Sequence, residues 1–243
     1  MESNQSAYLL IALLGLAFLL SFLMGFRRIF RLQQLSRSRV INGFILAMLV
    51  LTILTAVHWM GYFPQEIAAK FTMFLYTLAA GFFSGFAIKM VSLRRKAKNI
   101  EYAYRSFWTE AAPAMIAILL IAFGIYRTGV LTLGPFTGIG ITSGLSLIGF
   151  GLFGFTLNIV PEFRYRGILI LDQFVPWKKV VAYNWHSENA LQIEYLTPDK
   201  KLTDFTTYIP PEDEIIIERL LAKKLKEHEK ERKKVLSKED KTV

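Results

Sequence analysis

The chain has 243 residues, room for one or two soluble domains, but 53% of them are apolar and Phe alone occurs 20 times, more than the ~45–50% of an ordinary globular domain. The formal charge is +10, from 29 basic and 19 acidic residues, and on a soluble protein that excess points to nucleic acid, so its location decides its meaning. Cysteine is absent, which excludes a disulfide framework, a thiolate nucleophile and a thiolate metal site.

Segments of about eighteen or more nearly uncharged apolar residues read as membrane spans. Five are expected, at about 7–26, 40–63, 71–91, 109–126 and 138–160. One such segment could be a buried core helix, but five could not. The first has no Lys or Arg before it and Arg27, Arg28 and Arg31 after it. That order is the reverse of a cleavable signal, so an uncleaved signal anchor is expected.

Basic residues then set the expected topology. Arg27, Arg28, Arg31, Arg37 and Arg39 follow the first span; Lys89, Arg94, Arg95, Lys96, Lys98 and Arg105 surround the end of the third. The opposite loops hold only Lys70 and Arg127. The N-terminus is expected outside and the C-terminus in the cytoplasm of a bacterial-type inner membrane, plasma or thylakoid. Residues 1–163 contain 13 basic and 5 acidic residues, so most of the net charge is topological. Arg27, Arg28, Arg94, Arg95 and Lys96 are candidates for lipid headgroup contact, and no nucleic-acid partner is expected. Trp59, Tyr62 and Phe63, and Tyr102, Tyr104, Phe107 and Trp108, suit interfacial belts.

The middle of every span lacks Asp, Glu, Lys and Arg, the groups that ion and proton pathways place at depth. His58 lies beside Trp59 and reads as an interfacial histidine. The third span carries the small-xxx-small pair Gly81 and Gly85. The fifth carries Gly140 and Gly144, with Gly149, Gly151 and Gly154 further along. Such glycines let helix backbones approach closely, within one chain or against a partner.

After residue 163 the pattern changes to short alternating segments. Strands are expected at Tyr165–Leu171, Gln173–Trp177, Val180–His186, Ala190–Leu196 and Leu202–Tyr208, separated by turn residues in an antiparallel meander. Pro210, Pro211 and three acidic residues then open a helix with the apolar stripe Ile217, Leu220, Leu221 and Leu225. Residues 227–243 read as a charged flexible tail. The domain organisation is thus a transmembrane part, 1–163, a cytoplasmic module, 164–226, and the tail. Arg164, Lys178 and Lys179 are further headgroup candidates, because the module starts at the bilayer.

An antiparallel sheet closed by a C-terminal helix resembles a pleckstrin-homology-like fold. Gly167-Ile168, Val175-Pro176-Trp177, Val181-x-Tyr183-x-Trp185, Leu191-x-Ile193 and Ile209-Pro210 resemble a family of short modules of unknown function on bacterial and archaeal membrane proteins. Gly167, Pro176, Trp177, Tyr183 and Trp185 carry the motif. The resemblance implies a cytosolic sensing or docking module without catalytic residues.

No P-loop, Rossmann glycine pattern or nucleophile elbow is present, and His58, His186 and His228 make no metal motif. Catalytic residues, metal ligands and cofactors are therefore not expected. The expected function is a non-catalytic multi-pass membrane protein. It would act as a scaffold, assembly factor or regulator, docking a membrane or cytoplasmic partner or a second copy. The alternative is a small transporter or channel regulated by the module.

Overall fold

The computed structural model describes residues 2–27, 37–62, 64–131, 134–197 and 201–231. Arg28, Phe63 and the tail beyond residue 231 lie outside the described residues. The N-terminal region is helical, with α1 (Glu2–Arg27), α2 (Arg37–Trp59), α3 (Gln65–Ala97), α4 (Ala112–Arg127) and α5 (Gly138–Thr156). Among the described residues four helices are long and apolar enough to cross a membrane: α1, α3, α5 and the segment Phe107–Arg127 that ends in α4.

Local chemistry sets the helix ends. Ahead of α4, the Ser106 backbone N–H donates to Thr109 Oγ1 at 2.9 Å and the Thr109 N–H donates back to Ser106 Oγ at 3.3 Å, a reciprocal N-terminal cap. A π-helical turn, Phe107–Ala111, follows it, and Pro113 sits in the first turn of α4, where its missing N–H is harmless. Gly129 ends α4 at φ +81, the left-handed conformation that glycine adopts freely. Thr137 caps α5 by accepting from the Gly140 N–H at 3.1 Å.

The chain divides into two compact units. One holds residues 1–91 and 110–157, the other residues 92–109 and 158–243. In the helical unit, glycines make several of the closest backbone approaches. A Cβ built on Gly81 would lie 2.5 Å from Phe18 O, and one on Gly85 only 2.1 Å from Phe22 O, so both face α1. Gly25 of α1 presses on Phe82 O in the same way. Gly144 and Gly151 of α5 approach Gly124 O and Ala117 O of α4, and Gly149 approaches Ala80 O of α3. Buried hydroxyls bond their own helices: Ser21 to Phe18 O, Thr77 to Met73 O, Thr142 to Gly138 O and Ser143 to Gly140 O.

The described residues of the other unit form an antiparallel module of seven strands and a C-terminal helix. One sheet has the order β1 (Ile100–Ala103), β2 (Asn158–Arg164), β3 (Gly167–Leu171), β4 (Gln173–Pro176). The other has the order β5 (Val180–Ser187), β6 (Ala190–Leu196), β7 (Leu202–Tyr208), followed by α6 (Glu214–Glu227). The meander is therefore two sheets, broken after β4 where Trp177–Lys179 form a 3-10 turn. The core joins both sheets and the helix through Phe163, Ile168, Trp177, Ile193, Ile217 and Leu221, all at most 1% exposed.

Several boundaries differ from the sequence reading. The fifth expected span, 138–160, is helical only to Thr156; Leu157 turns extended and the next seven residues form β2. Apolar content alone cannot separate a helix end from a buried strand, and here the pairing with β3 decides. Tyr165 and Arg166 form the β2–β3 turn instead of opening a strand. The third expected span, 71–91, is part of a longer helix, since α3 runs from Gln65 to Ala97, and β1 follows it.

Candidate functional site

The module is assembled from two stretches that are remote in sequence. β1 pairs antiparallel with β2, with Ile100 opposite Arg164, Tyr102 opposite Phe163 and Ala103 opposite Glu162. Four further contacts fix this junction. Arg164 Nη1 donates to Lys98 O at 2.6 Å and to Arg94 O at 3.4 Å. The Tyr165 N–H donates to Asn99 O at 3.0 Å and the Arg166 N–H to Ala97 O at 3.3 Å. Arg94 O and Ala97 O belong to the last turn of α3, whose carbonyls the helix itself leaves without partners, and Lys98 O and Asn99 O follow directly; the cation suits the negative end of the helix dipole. Lys98 ends the helix at φ +63.

Arg164 is 7% exposed and also pairs with Glu162 at 2.5 Å. It is a bracing residue inside the module. Lys224 is buried as well, with Nζ 2.8 Å from Glu101 Oε1 and 4.4 Å from the centre of the Tyr165 ring. Lys98 Nζ lies 5.3 Å from the same ring, so two cations share one aromatic. Tyr102 donates its hydroxyl to Asp213 Oδ2 at 2.8 Å and packs its ring 5.9 Å from Phe163. Burial and this carboxylate push the Tyr102 phenol well above its ordinary value.

The motif residues have structural roles. Gly167 lies opposite Pro176, and a Cβ there would stand 2.2 Å from Val175 O. Trp177 is 1% exposed, and its indole N–H donates to Arg164 O at 3.1 Å. Tyr183 and Trp185 are partly buried against the core. Among the headgroup candidates, Arg27, Arg95, Lys96 and Lys178 are exposed and Arg94 is half-buried. Lys179 Nζ donates to Thr197 O at 3.3 Å.

Residues 160–226 match a domain of unknown function, DUF5673. The match covers β3 to β7 and nearly all of α6, and most of β2. It leaves out β1, Lys98, Glu101 and Tyr102, which the fold supplies from the segment after α3. No curated protein matches the chain, and no solved structure does.

The sequence reading missed Gly25, Glu101 and Lys224. Ser21 and Gly25 form a small-xxx-small pair that pattern inspection could have found. Lys224 falls within the apolar stripe of α6, at i+3 from Leu221 and i+7 from Ile217. A lysine in such a stripe signals a buried partner. The identity of that partner, Glu101, needed the fold. Among the described residues no group of three or more His, Asp or Glu is placed to hold a metal ion.

Proposed function

We propose that this chain is a non-catalytic multi-pass membrane protein whose cytoplasmic module docks a protein partner, as a scaffold, assembly factor or regulator. The observation that carries the reading is the pairing of β1 with β2. It ties the segment after α3 and the C-terminal module into one sheet, so both lie on one side of the membrane. The chain between them then crosses an even number of times, as α4 and α5 would do. With α1, α2 and α3 this makes five spans, the N-terminus outside and the C-terminus inside. The exposed Arg27, Arg95 and Lys96 agree with that orientation and with a bacterial-type inner membrane.

Two further features support a docking role over catalysis or transport. Arg164, Lys224 and Tyr102 are engaged in holding the module together. The buried hydroxyls of α1, α3 and α5 named above bond their own helices. A four-strand and a three-strand sheet closed by a C-terminal helix support the likeness to a pleckstrin-homology-like fold.

The absence of native cysteine gives a direct topology test. Single cysteines at Tyr62, Lys96, Phe136 and Lys201 are challenged with a membrane-impermeant maleimide in intact cells. Tyr62 and Phe136 are expected to react, Lys96 and Lys201 to react only after lysis. Partner docking is tested by mass spectrometry of complexes in mild detergent. The full chain is compared with a Gly167→Val variant whose module is disrupted. A stoichiometric partner lost in the variant supports docking. A full chain that elutes alone and conducts solute in liposomes favours the transporter or channel instead.

A further inference from the structure

The corner where β7 leads into α6 carries exposed apolar side chains. Tyr208, Ile215 and Ile216 are 55%, 61% and 55% exposed. Two contacts hold this corner against the segment that leads into α4. The Tyr208 ring lies 6.0 Å from Tyr104, and Asp213, two residues before Ile215, accepts from Tyr102. Tyr104 is three residues from Phe107, where an apolar helix long enough to cross a membrane begins. Three residues reach at most about 11 Å and the five from Tyr102 about 18 Å. The corner is therefore held within a short reach of the point where the chain enters the bilayer.

The chemistry of α6 fits that location. Its inward face is occupied by Ile217, Leu221 and Lys224. Its outward face starts with Ile215 and Ile216 and continues with Arg219, Lys223 and Lys226, all exposed. Ile215, Arg219, Lys223 and Lys226 follow at i+4, i+8 and i+11, one stripe of the helix. Lys223 is 4.0 Å from Glu227, a weak exposed pair that anionic headgroups can replace. Apolar side chains beside a basic stripe are the composition of a helix lying in a membrane interface.

We propose that this outward corner, Tyr208 with Ile215 and Ile216, sits in the headgroup region of an anionic bilayer, with Arg219, Lys223 and Lys226 on the phosphates. The occupant is the membrane that the chain itself spans. The inference rests on the reading that Phe107–Arg127 crosses it.

Site-directed spin labelling tests this on the full chain in nanodiscs of phosphatidylcholine and phosphatidylglycerol. Single cysteines replace Ile215, Ile216, Thr203 and Leu119 in the otherwise cysteine-free protein. Thr203 lies at the far end of β7, about 17 Å along the strand from Tyr208, and is the aqueous reference. Leu119 of α4, 68% exposed in the protein, is the bilayer reference. Labels at 215 and 216 are expected to show an oxygen-to-nickel-chelate collision ratio several-fold above that at 203. The ratio is expected to fall when phosphatidylglycerol is omitted. Labels at 215 and 216 that match 203, while 119 reads as bilayer, overturn the proposal alone. An aqueous reading at 119 overturns the spanning helix and the proposal with it. Exclusion of both collision partners at 215 and 216 indicates cover by protein and also overturns it. Both substitutions are at exposed positions, and if one variant fails to elute as a folded species the other decides.

Discussion

The hydroxyl of Tyr102 lies 2.8 Å from the carboxylate of Asp213, 111 residues further along the chain. Between these residues lie two apolar helices and all six remaining strands of the sheet module before α6. The contact closes β1 onto the start of α6, and it makes the module a property of two chain segments rather than one.

Removing that hydroxyl tests its weight. Tyr102→Phe keeps the ring against Phe163 and leaves Asp213 without this donor. The expected loss is about 1.5–3 kcal/mol, the range for a hydrogen bond to a charged group. Thermal unfolding of the purified protein in detergent measures it.

The same contact fixes a pH dependence. Burial first, then the bond to Asp213 and its charge, raise the Tyr102 phenol from its ordinary 10.0. Above pH 10 the unfolded chain loses this proton while the folded chain keeps it. The folded state then binds more protons, so stability falls as pH rises. This contribution is fully present below pH 10 and is lost as the pH climbs toward the higher folded value. Unfolding temperatures over roughly pH 9 to 11 are expected to fall more steeply for the native protein than for Tyr102→Phe. Parallel slopes would disprove the coupling.

Arg164 and Glu162 are expected to behave as a buried pair. Arg164→Met strands the carboxylate and removes the donor to Lys98 O and Arg94 O, with an expected cost of about 3–5 kcal/mol. Adding Glu162→Gln is expected to restore part of that loss, because the uncompensated charge is gone. A double-mutant cycle in chemical denaturation gives the coupling.

The stretch recognised as a domain of unknown function is not expected to fold alone. Residues 160–226 expressed in isolation lack β1, Glu101 and Tyr102, so β2 becomes a bare edge and Lys224 loses its nearest partner. Joining residues 92–109 by a flexible linker to residues 158–231 is expected to restore protease resistance and dispersed amide resonances. Equal order in both fragments would show that β1 is dispensable.

Glycine contacts between helices separate cleanly by position. Gly85→Leu and Gly144→Leu drive a side chain into a neighbouring backbone, and each is expected to destabilise by about 1–3 kcal/mol. Gly15→Leu meets nothing within 4 Å and is expected to be neutral or mildly stabilising, since it removes a helical glycine. Detergent-denaturant titration followed by circular dichroism distinguishes the three.

Much of this architecture was legible from residue order alone. Ala190–Leu196 and Leu202–Tyr208 are strands with the expected ends, because period-two alternation between turn residues leaves few alternatives. The apolar stripe of α6 and the long apolar helices were legible for the same reason: burial on one face or all round writes itself into local composition. Gly81 and Gly85 could be marked as sites of close approach, though their partner, α1, could not.

What only the tertiary structure decided are the relations between distant segments. Asn158–Val160 closes an apolar run and reads as the end of a span, with Pro161–Arg164 as its exit, until the hydrogen bonds of β2 to β3 and β1 are known. Arg94 to Arg105 reads only as a basic cytoplasmic region, since positive charge next to a span is ordinary. Its carbonyls find Arg164, and its Glu101 and Tyr102 find Lys224 and Asp213, across a stretch of chain that no local pattern bridges. Local composition fixes which residues must leave water. Which buried charge meets which carbonyl is settled only when the fold brings donors and acceptors within 3 Å, and in this protein those pairings make the module.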